Sequence, residues 1–331
     1  MASSLLSVED LTVRFSVDEG QFDAVEHLSF DVHPAEAVGL VGESGCGKSV
    51  TAMSIPRLIP SPPGRIVNGR ILFHGQDLIS MPIAELRKIR GRAISMIFQE
   101  PLSALSPLKR IGDQMAEVVR FHRPMANKEV RAFTRMWLEK VKIPDVADKL
   151  EALPHQLSGG MQQRVMIAMA LMLDPELIIA DEPTTALDVT LQAQIFDLIR
   201  QMKQARTSLL LITHDMGVVW EMCDRVLVMY AARIVEQGSR EQIFSRPAHP
   251  YTRGLLQSIP VLNPDGRKLR AIAGNVPSPL AYPSGCHFRD RCPYAFERCA
   301  VEAPALFDLG DTDHRAACFV AGRLMGTPLT V

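Results

Sequence analysis

An α/β chain built on a parallel, doubly wound sheet is the expectation from three features of the sequence. Residues 5 to 42 alternate in strand fashion and end in the apolar run Ala37-Val38-Gly39-Leu40-Val41, suited to a strand buried on both faces. A glycine-rich turn follows that run at once, with a helix-compatible stretch from Ser49 to about Leu58. Beyond Asp174-Pro175, strand and helix patterns alternate: Leu177–Ala180, Leu191–Ala205, Leu209–Thr213, Gly217–Cys223 and Val226–Tyr230.

Taken in order, Leu11, Val13 and Phe15, then Leu28, Phe30 and Val32, mark the first strands. Pro60, Pro62, Pro63 and Gly64 break the chain after the first helix. Residues 85 to 165 are mostly helical in pattern, with charged faces at Glu85–Arg92 and Lys128–Lys142, and read as a helical insert. Composition shifts near Arg246-Pro247 into a stretch rich in proline and cysteine, an appendage that needs something other than a large core to hold it. The expected domains are therefore 1–245, with the helical subdomain at about 85–165, and 246–331.

Lys and Arg number 36 against 37 Asp and Glu, so a global basic field for nucleic acid or anionic lipid is excluded. No apolar run approaches the roughly 20 residues of a membrane span, and the first residues do not read as a signal peptide, so a cytosolic chain is expected.

Three motifs carry chemistry. Gly42-Glu43-Ser44-Gly45-Cys46-Gly47-Lys48-Ser49 fits G-x-x-x-x-G-K-[ST] between a buried strand and a helix. Its backbone amides can converge on phosphate oxygens, Lys48 can reach the β- and γ-phosphates, and the Ser49 hydroxyl can ligate Mg²⁺. Asp181 and Glu182 end an apolar strand, where ligands collect in open α/β sheets; Asp181 is placed for Mg²⁺ and Glu182 for the attacking water. Leu157-Ser158-Gly159-Gly160-Met161-Gln162-Gln163 opens a helix with Ser158 at its N-cap, a second phosphate-binding surface in one chain.

With these motifs in this order, the sequence resembles the nucleotide-binding subunits of ABC transporters over about residues 5 to 260. The resemblance implies a P-loop ABC-type nucleotide-binding domain with a parallel core sheet, an antiparallel β subdomain, a helical subdomain and an irregular C-terminal extension. It identifies Gly42–Ser49, with Val50 behind it, as the Walker A loop, and Gln99 as the Q-loop glutamine that senses Mg²⁺ and the attacking water. Leu157–Gln162 is similar to the signature motif, including Ser158, Gly159 and Gly160; Asp181 and Glu182 to the Walker B pair; Asp188 to the D-loop aspartate; and His214 to the switch histidine at the γ-phosphate. Phe15 takes the place of the aromatic that stacks on adenine, with Phe22 nearby as the other candidate.

Met96–Pro101, Pro154–Leu157, Ile179–Thr190 and His249-Pro250-Tyr251-Thr252 narrow the resemblance to ATPase subunits of dipeptide and oligopeptide importers, whose C-terminal extension corresponds to about 232 to 320. Ala35 replaces the glycine usual in the turn before the Walker strand. Such a subunit hydrolyses ATP with Mg²⁺ to drive uptake of peptides at the cytoplasmic face of the inner membrane. It pairs with a second ABC ATPase, docks on two permease subunits near Gln99–Leu108, and works with an extracytoplasmic binding protein. Nickel, other metal-chelate or antimicrobial-peptide uptake is the alternative within transport. A soluble ABC ATPase on nucleic acid or ribosomes is the alternative outside it, disfavoured by a single cassette, about 50 residues between Ser49 and Gln99, and a net charge of −1.

Cys286-x5-Cys292-x6-Cys299-x18-Cys318 has enough thiols for a metal site, and spacing alone leaves zinc, an iron–sulfur cluster and free thiols open. The Arg291-Cys292-Pro293-Tyr294-Ala295 and Arg298-Cys299 surroundings are similar to the segment of some peptide-importer ATPases that holds a [4Fe–4S] cluster, which the resemblance favours over zinc.

Overall fold

The computed structural model describes residues 4–184, 189–202, 206–259, 272–310 and 313–325. It divides into two compact units, Met1–Ser80 with Leu211–Val331, and Met81–Leu210.

The first unit begins with β1 (Leu6–Val17) and β2 (Gly20–Val32), an antiparallel hairpin with Phe15 opposite Phe22 and Val17 opposite Gly20. Alternation buries Leu6 and Val8 along the start of β1, and a register shift between Val8 and Leu11 brings Leu11 and Val13, of the opposite parity, to buried positions. β3 (Ala37–Val41) is buried at every position, as its unbroken apolar run requires. α1 (Lys48–Ser54) is shorter than the stretch to Leu58 expected from the pattern. Pro56 offers no N–H to continue the ladder, and Arg57 then turns into left-handed backbone (φ 53°). β4 (Gly64–Phe73) and β5 (Gln76–Asp77) complete a sheet of order β2-β1-β4-β5.

The second unit opens with α2 (Ile83–Ile89), β6 (Ile94–Ile97) and α3 (Pro101–Ala104). β6 lies within the stretch whose pattern reads as mostly helical; its four residues are too few to show a period of their own. α4 (Ile111–His122), α5 (Asn127–Lys140) and α6 (Val146–Glu151) precede α7 (Gly159–Leu171), whose residues Val165, Met166, Ile167 and Ala168 are buried on successive faces. β7 (Leu177–Asp181) pairs in parallel with β6, and α8 (Val189–Met202) leads to β8 (Ser208–Thr213), where the boundary between the units falls.

Returning to the first unit, α9 (Met216–Met222) precedes β9 (Arg225–Tyr230), which pairs in parallel with β3 and antiparallel with β10 (Arg233–Ser239). α10 (Arg240–Ser245) and α11 (Pro250–Gln257) follow, then α12 (Glu297–Val301), β11 (Phe307–Asp308), β12 (Arg315–Ala316) and α13 (Ala321–Met325). β12 extends this sheet beyond β10, in the order β11-β12-β10-β9-β3. Glu236 of β10, fully buried, accepts from the N–H groups of Ala248 and His249 at 2.7 and 2.8 Å and lies 2.9 Å from Nε2 of buried His314. This knot joins the C-terminal residues to the sheet beside a small apolar cluster of Ala248, Ala316 and Ala321.

Candidate active site

In the first unit the glycine loop connects β3 to α1. Gly47 is the N-cap of α1 in left-handed backbone (φ 108°), and a Cβ there would stand 2.2 Å from the Ala24 carbonyl. Gly42 is packed as tightly, its missing Cβ 2.1 Å from the Met229 carbonyl oxygen. Only glycine lets the backbone run this close to its neighbours. Lys48, 4% exposed, lays its Nζ on the carbonyls of Gly42 and Glu43 at 2.8 and 3.0 Å, closing the loop around its own ammonium. Cys46 is fully buried, and burial pushes its thiol up, so it packs as a small side chain rather than a nucleophile. Ser49 and Val50 lie half-buried on the first turn of α1.

Phe15 and Phe22 stack across the β1–β2 hairpin, centroids 5.8 Å apart and planes 12° apart, so the two aromatic candidates form one half-exposed platform. His214 follows β8 and is exposed, while Asp215 caps α9 by accepting from Gly217 and Val218 N–H at 2.8 and 3.3 Å.

The loop has neighbours that the motif does not announce. The Glu43 N–H donates to Tyr251 Oη at 2.8 Å, and the Glu43 carboxylate accepts from both terminal nitrogens of Arg291 at 2.6 and 3.1 Å. The His-Pro-Tyr-Thr sequence marks Tyr251 without announcing its partner, and nothing marks Arg291, since the two lie 208 and 248 positions from Glu43.

In the second unit Asp181 ends β7 and is 5% exposed, and Glu182 follows it in left-handed backbone (φ 41°). Left-handed backbone is uncommon for a non-glycine residue. Ser158 occupies the N-cap position of α7 as expected, but its hydroxyl makes no capping bond. Two buried glutamines shape this helix start. Gln162 Nε2 donates to the Pro154 and Leu157 carbonyls at 2.9 and 3.1 Å, and Gln163 Nε2 donates to the Pro183 carbonyl, one residue past Glu182. The start of α7 is thereby tied to the acidic strand end. A Cβ on Gly159 would meet open space, so the glycine-rich turn is accessible, while Gln99 is exposed just beyond β6. Asp188 lies outside the described residues.

The four C-terminal cysteines are half-buried in the first unit. Burial pushes Cys292 up to about 11 and Cys318 up to about 12, and the neighbouring cysteines add to both shifts, so the four lie within electrostatic range of one another. Among the described residues no group of three or more His, Cys, Asp or Glu stands close enough to hold a single metal ion. Nor, among them, is any helix long and apolar enough to cross a membrane.

Comparison with known proteins bears on this arrangement. A family model described as ABC transporter matches residues 25–185, and one described as oligopeptide/dipeptide transporter, C-terminal region, matches 235–299. The dipeptide transport ATP-binding protein DppD of Bacillus subtilis (strain 168) is 48% identical over 317 residues, covering 96% of this chain and 94% of that protein. The oligopeptide transport ATP-binding protein OppD of Escherichia coli (strain K12) is 46% identical over 304 residues, covering 92% and 90%. Among solved structures, the dimeric post-hydrolysis state of the ATP-binding cassette MJ0796, bound to ADP and Pi, superposes with a TM-score of 0.64 at 25% identity over 71% of this chain and 98% of that one. The glycine loop, the acidic strand end and the signature-like helix start thus stand on a scaffold shared along nearly its whole length, and the chain belongs to the ABC transporter ATPases that carry the oligopeptide/dipeptide transporter C-terminal region.

Proposed function

We propose that this chain hydrolyses ATP to drive uptake of dipeptides or oligopeptides across the cytoplasmic membrane, as a peripheral subunit on its inner face. The observation that carries the reading is the pairing of a complete nucleotide loop with a C-terminal region like that of peptide transporters at 235–299. In this reading Gly42–Ser49 holds the phosphates, Lys48 turns its ammonium from the loop carbonyls to the β- and γ-phosphates, and Phe15 stacks on adenine. The oxygen donors Ser49 and Asp181, with Gln99, suit a hard cation, so Mg²⁺ is the metal they would hold, neutralising phosphate charge when bound. Glu182 orients the attacking water and takes its proton, and His214 contacts the γ-phosphate. Ser158, Gly159 and Gly160 face the nucleotide of a second ABC ATPase, Asp188 belongs to that interface, and two permease subunits and an extracytoplasmic peptide-binding protein complete the importer.

The division at about residue 245 fits a catalytic domain followed by the peptide-transporter extension. For the extension, the four half-buried thiols are the donors available to a [4Fe–4S] cluster, which the likeness of the Arg291–Ala295 and Arg298-Cys299 surroundings to the cluster-holding segment of some peptide-importer ATPases favours over zinc. When bound, the cluster would cross-link Cys286, Cys292, Cys299 and Cys318.

The test is reconstitution with the permeases and partner ATPase in vesicles, measuring phosphate release and uptake of labelled peptide. Glu182→Gln is expected to retain ATP and lower phosphate release by at least about a hundredfold, the scale of a lost general base. Normal steady-state release would remove Glu182 from its role, and uptake of nickel chelates without peptide uptake would remove the cargo assignment.

A further inference from the structure

Glu43 is held at three points. Its carbonyl accepts from Lys48 Nζ at 3.0 Å and from the Cys46 N–H at 3.4 Å, inside the loop. Its N–H is turned outward to Tyr251 Oη at 2.8 Å, and its carboxylate receives the two-pronged bond from Arg291. The first hold belongs to the nucleotide loop, while the other two come from residues more than 200 positions away.

Arg291 is itself rigidly placed. Its side chain is 5% exposed, its Nε donates to the Ala273 carbonyl at 2.9 Å, and its guanidinium lies 5.7 Å over the Tyr230 ring and 5.9 Å from that of Phe288. Tyr230, Tyr251 and Phe288 pack mutually with centroids 4.7 to 5.5 Å apart, so the same aromatic triangle carries both groups that grip Glu43. A planar guanidinium in such a setting fixes the carboxylate in angle as well as distance, which an ammonium does not. Arg291 also immediately precedes Cys292.

We infer that Arg291 and Tyr251 are positioning residues for nucleotide binding: through Glu43 they set the backbone of the phosphate loop and the resting place of the Lys48 ammonium. The inference deepens the reading of Gly42–Ser49 as the nucleotide loop and rests on it. With Arg291 removed, the Glu43 carboxylate loses its fixed partner, the peptide at Glu43 gains freedom, and the carbonyl that orients Lys48 moves with it. Nucleotide binding then costs the ordering of a loop that Arg291 keeps ordered in advance.

The experiment measures the affinity of the purified full-length chain for a fluorescent ATP analogue, and the KM and kcat of the assembled importer. It compares Arg291→Met, Arg291→Lys, Tyr251→Phe, Glu43→Gln and the double variant Arg291→Met/Glu43→Gln, with thermal unfolding run on each. Arg291→Met should weaken binding and raise KM about tenfold, a typical coupling between contacting residues, with kcat changed less than KM. Tyr251→Phe should act in the same direction, Arg291→Lys should restore only part of the loss, and the double variant should be no worse than Arg291→Met. Equal affinity in Arg291→Met and the parent overturns the inference, as do additive losses in the double variant. Lys48→Ala is the separate check on the loop. If it binds the analogue as the parent does, the nucleotide site lies elsewhere; if it loses binding while Arg291→Met does not, the site stands and the positioning role falls.

Discussion

His249 shows how one buried side chain makes stability depend on pH. It is 1% exposed, its Nδ1 accepts from the Tyr251 N–H at 3.1 Å as the N-cap of α11, and its own N–H is committed to Glu236. Burial lowers its pKa to about 3 from an ordinary 6.5, so the folded chain keeps it neutral where the unfolded chain takes up a proton. Between those values the unfolded state binds more protons, and stability is lost as pH falls below about 6.5, by about 1.4 kcal/mol per pH unit for this group. Asparagine can cap the helix through its side-chain oxygen without titrating. His249→Asn is therefore expected to flatten the decline in denaturant-measured stability between pH 4 and 6; an unchanged slope would assign the decline to other groups. At this scale the candidate site residues are readable because their spacing is local: Gly42 to Ser49 are contiguous, and Asp181 and Glu182 are adjacent. Arg291, Tyr251 and Glu236 are not, because their partners are brought in by tertiary folding alone.

Elements were legible where a period or a breaker was strong. β3, β7 and β8 are buried at every position around apolar runs, closed in β7 by Asp181 and flanked in β8 by Ser208 and Thr213, and their places match the sequence pattern to within a residue or so. β11 and β12, two residues each, carry no period, and they exist because β10 offers an edge for them to pair with. The turn between β2 and β3 shows a local rule broken and tolerated. Ala35 stands where the family's turn usually has glycine, and its backbone is left-handed all the same (φ 64°). The turn keeps its geometry because Glu36 accepts from the His33 N–H at 2.8 Å and is paired with Arg225 at 2.7 Å. Left-handed backbone costs a non-glycine residue about 1–2 kcal/mol, and glycine returns part of that gain as unfolded-chain entropy. Ala35→Gly is thus expected to stabilise the chain by about 0.5–1 kcal/mol in chemical denaturation and to leave nucleotide affinity as it was. A loss of stability would mean that the turn is relaxed by contacts of the Ala35 methyl.

At the scale of the whole molecule, a single chain has one nucleotide loop and one signature-like helix start, and the proposed function requires them to serve different nucleotides. Gly159 allows that requirement to be tested cleanly. A side chain added there meets open space, so Gly159→Asp should change stability by no more than about 0.5 kcal/mol, as for a surface site. A carboxylate at a helix N-terminus is even mildly favourable to the helix. Yet it would repel any phosphate brought to that turn by a partner. Gly159→Asp should therefore leave the isolated chain's affinity for nucleotide unchanged while lowering phosphate release by the assembled pair at least about tenfold, the cost of placing like charges in contact across an interface. The opposite pattern, affinity lost in the isolated chain, would place the glycine turn beside this chain's own nucleotide and exclude an ATP sandwiched between two subunits. With a net charge of −1, long-range attraction contributes little to assembly, so the pairing must come from the surfaces themselves and from the nucleotide between them. ATP should accordingly promote association of Glu182→Gln chains with the partner ATPase in sedimentation, and Gly159→Asp should abolish that ATP-dependent step without unfolding either subunit.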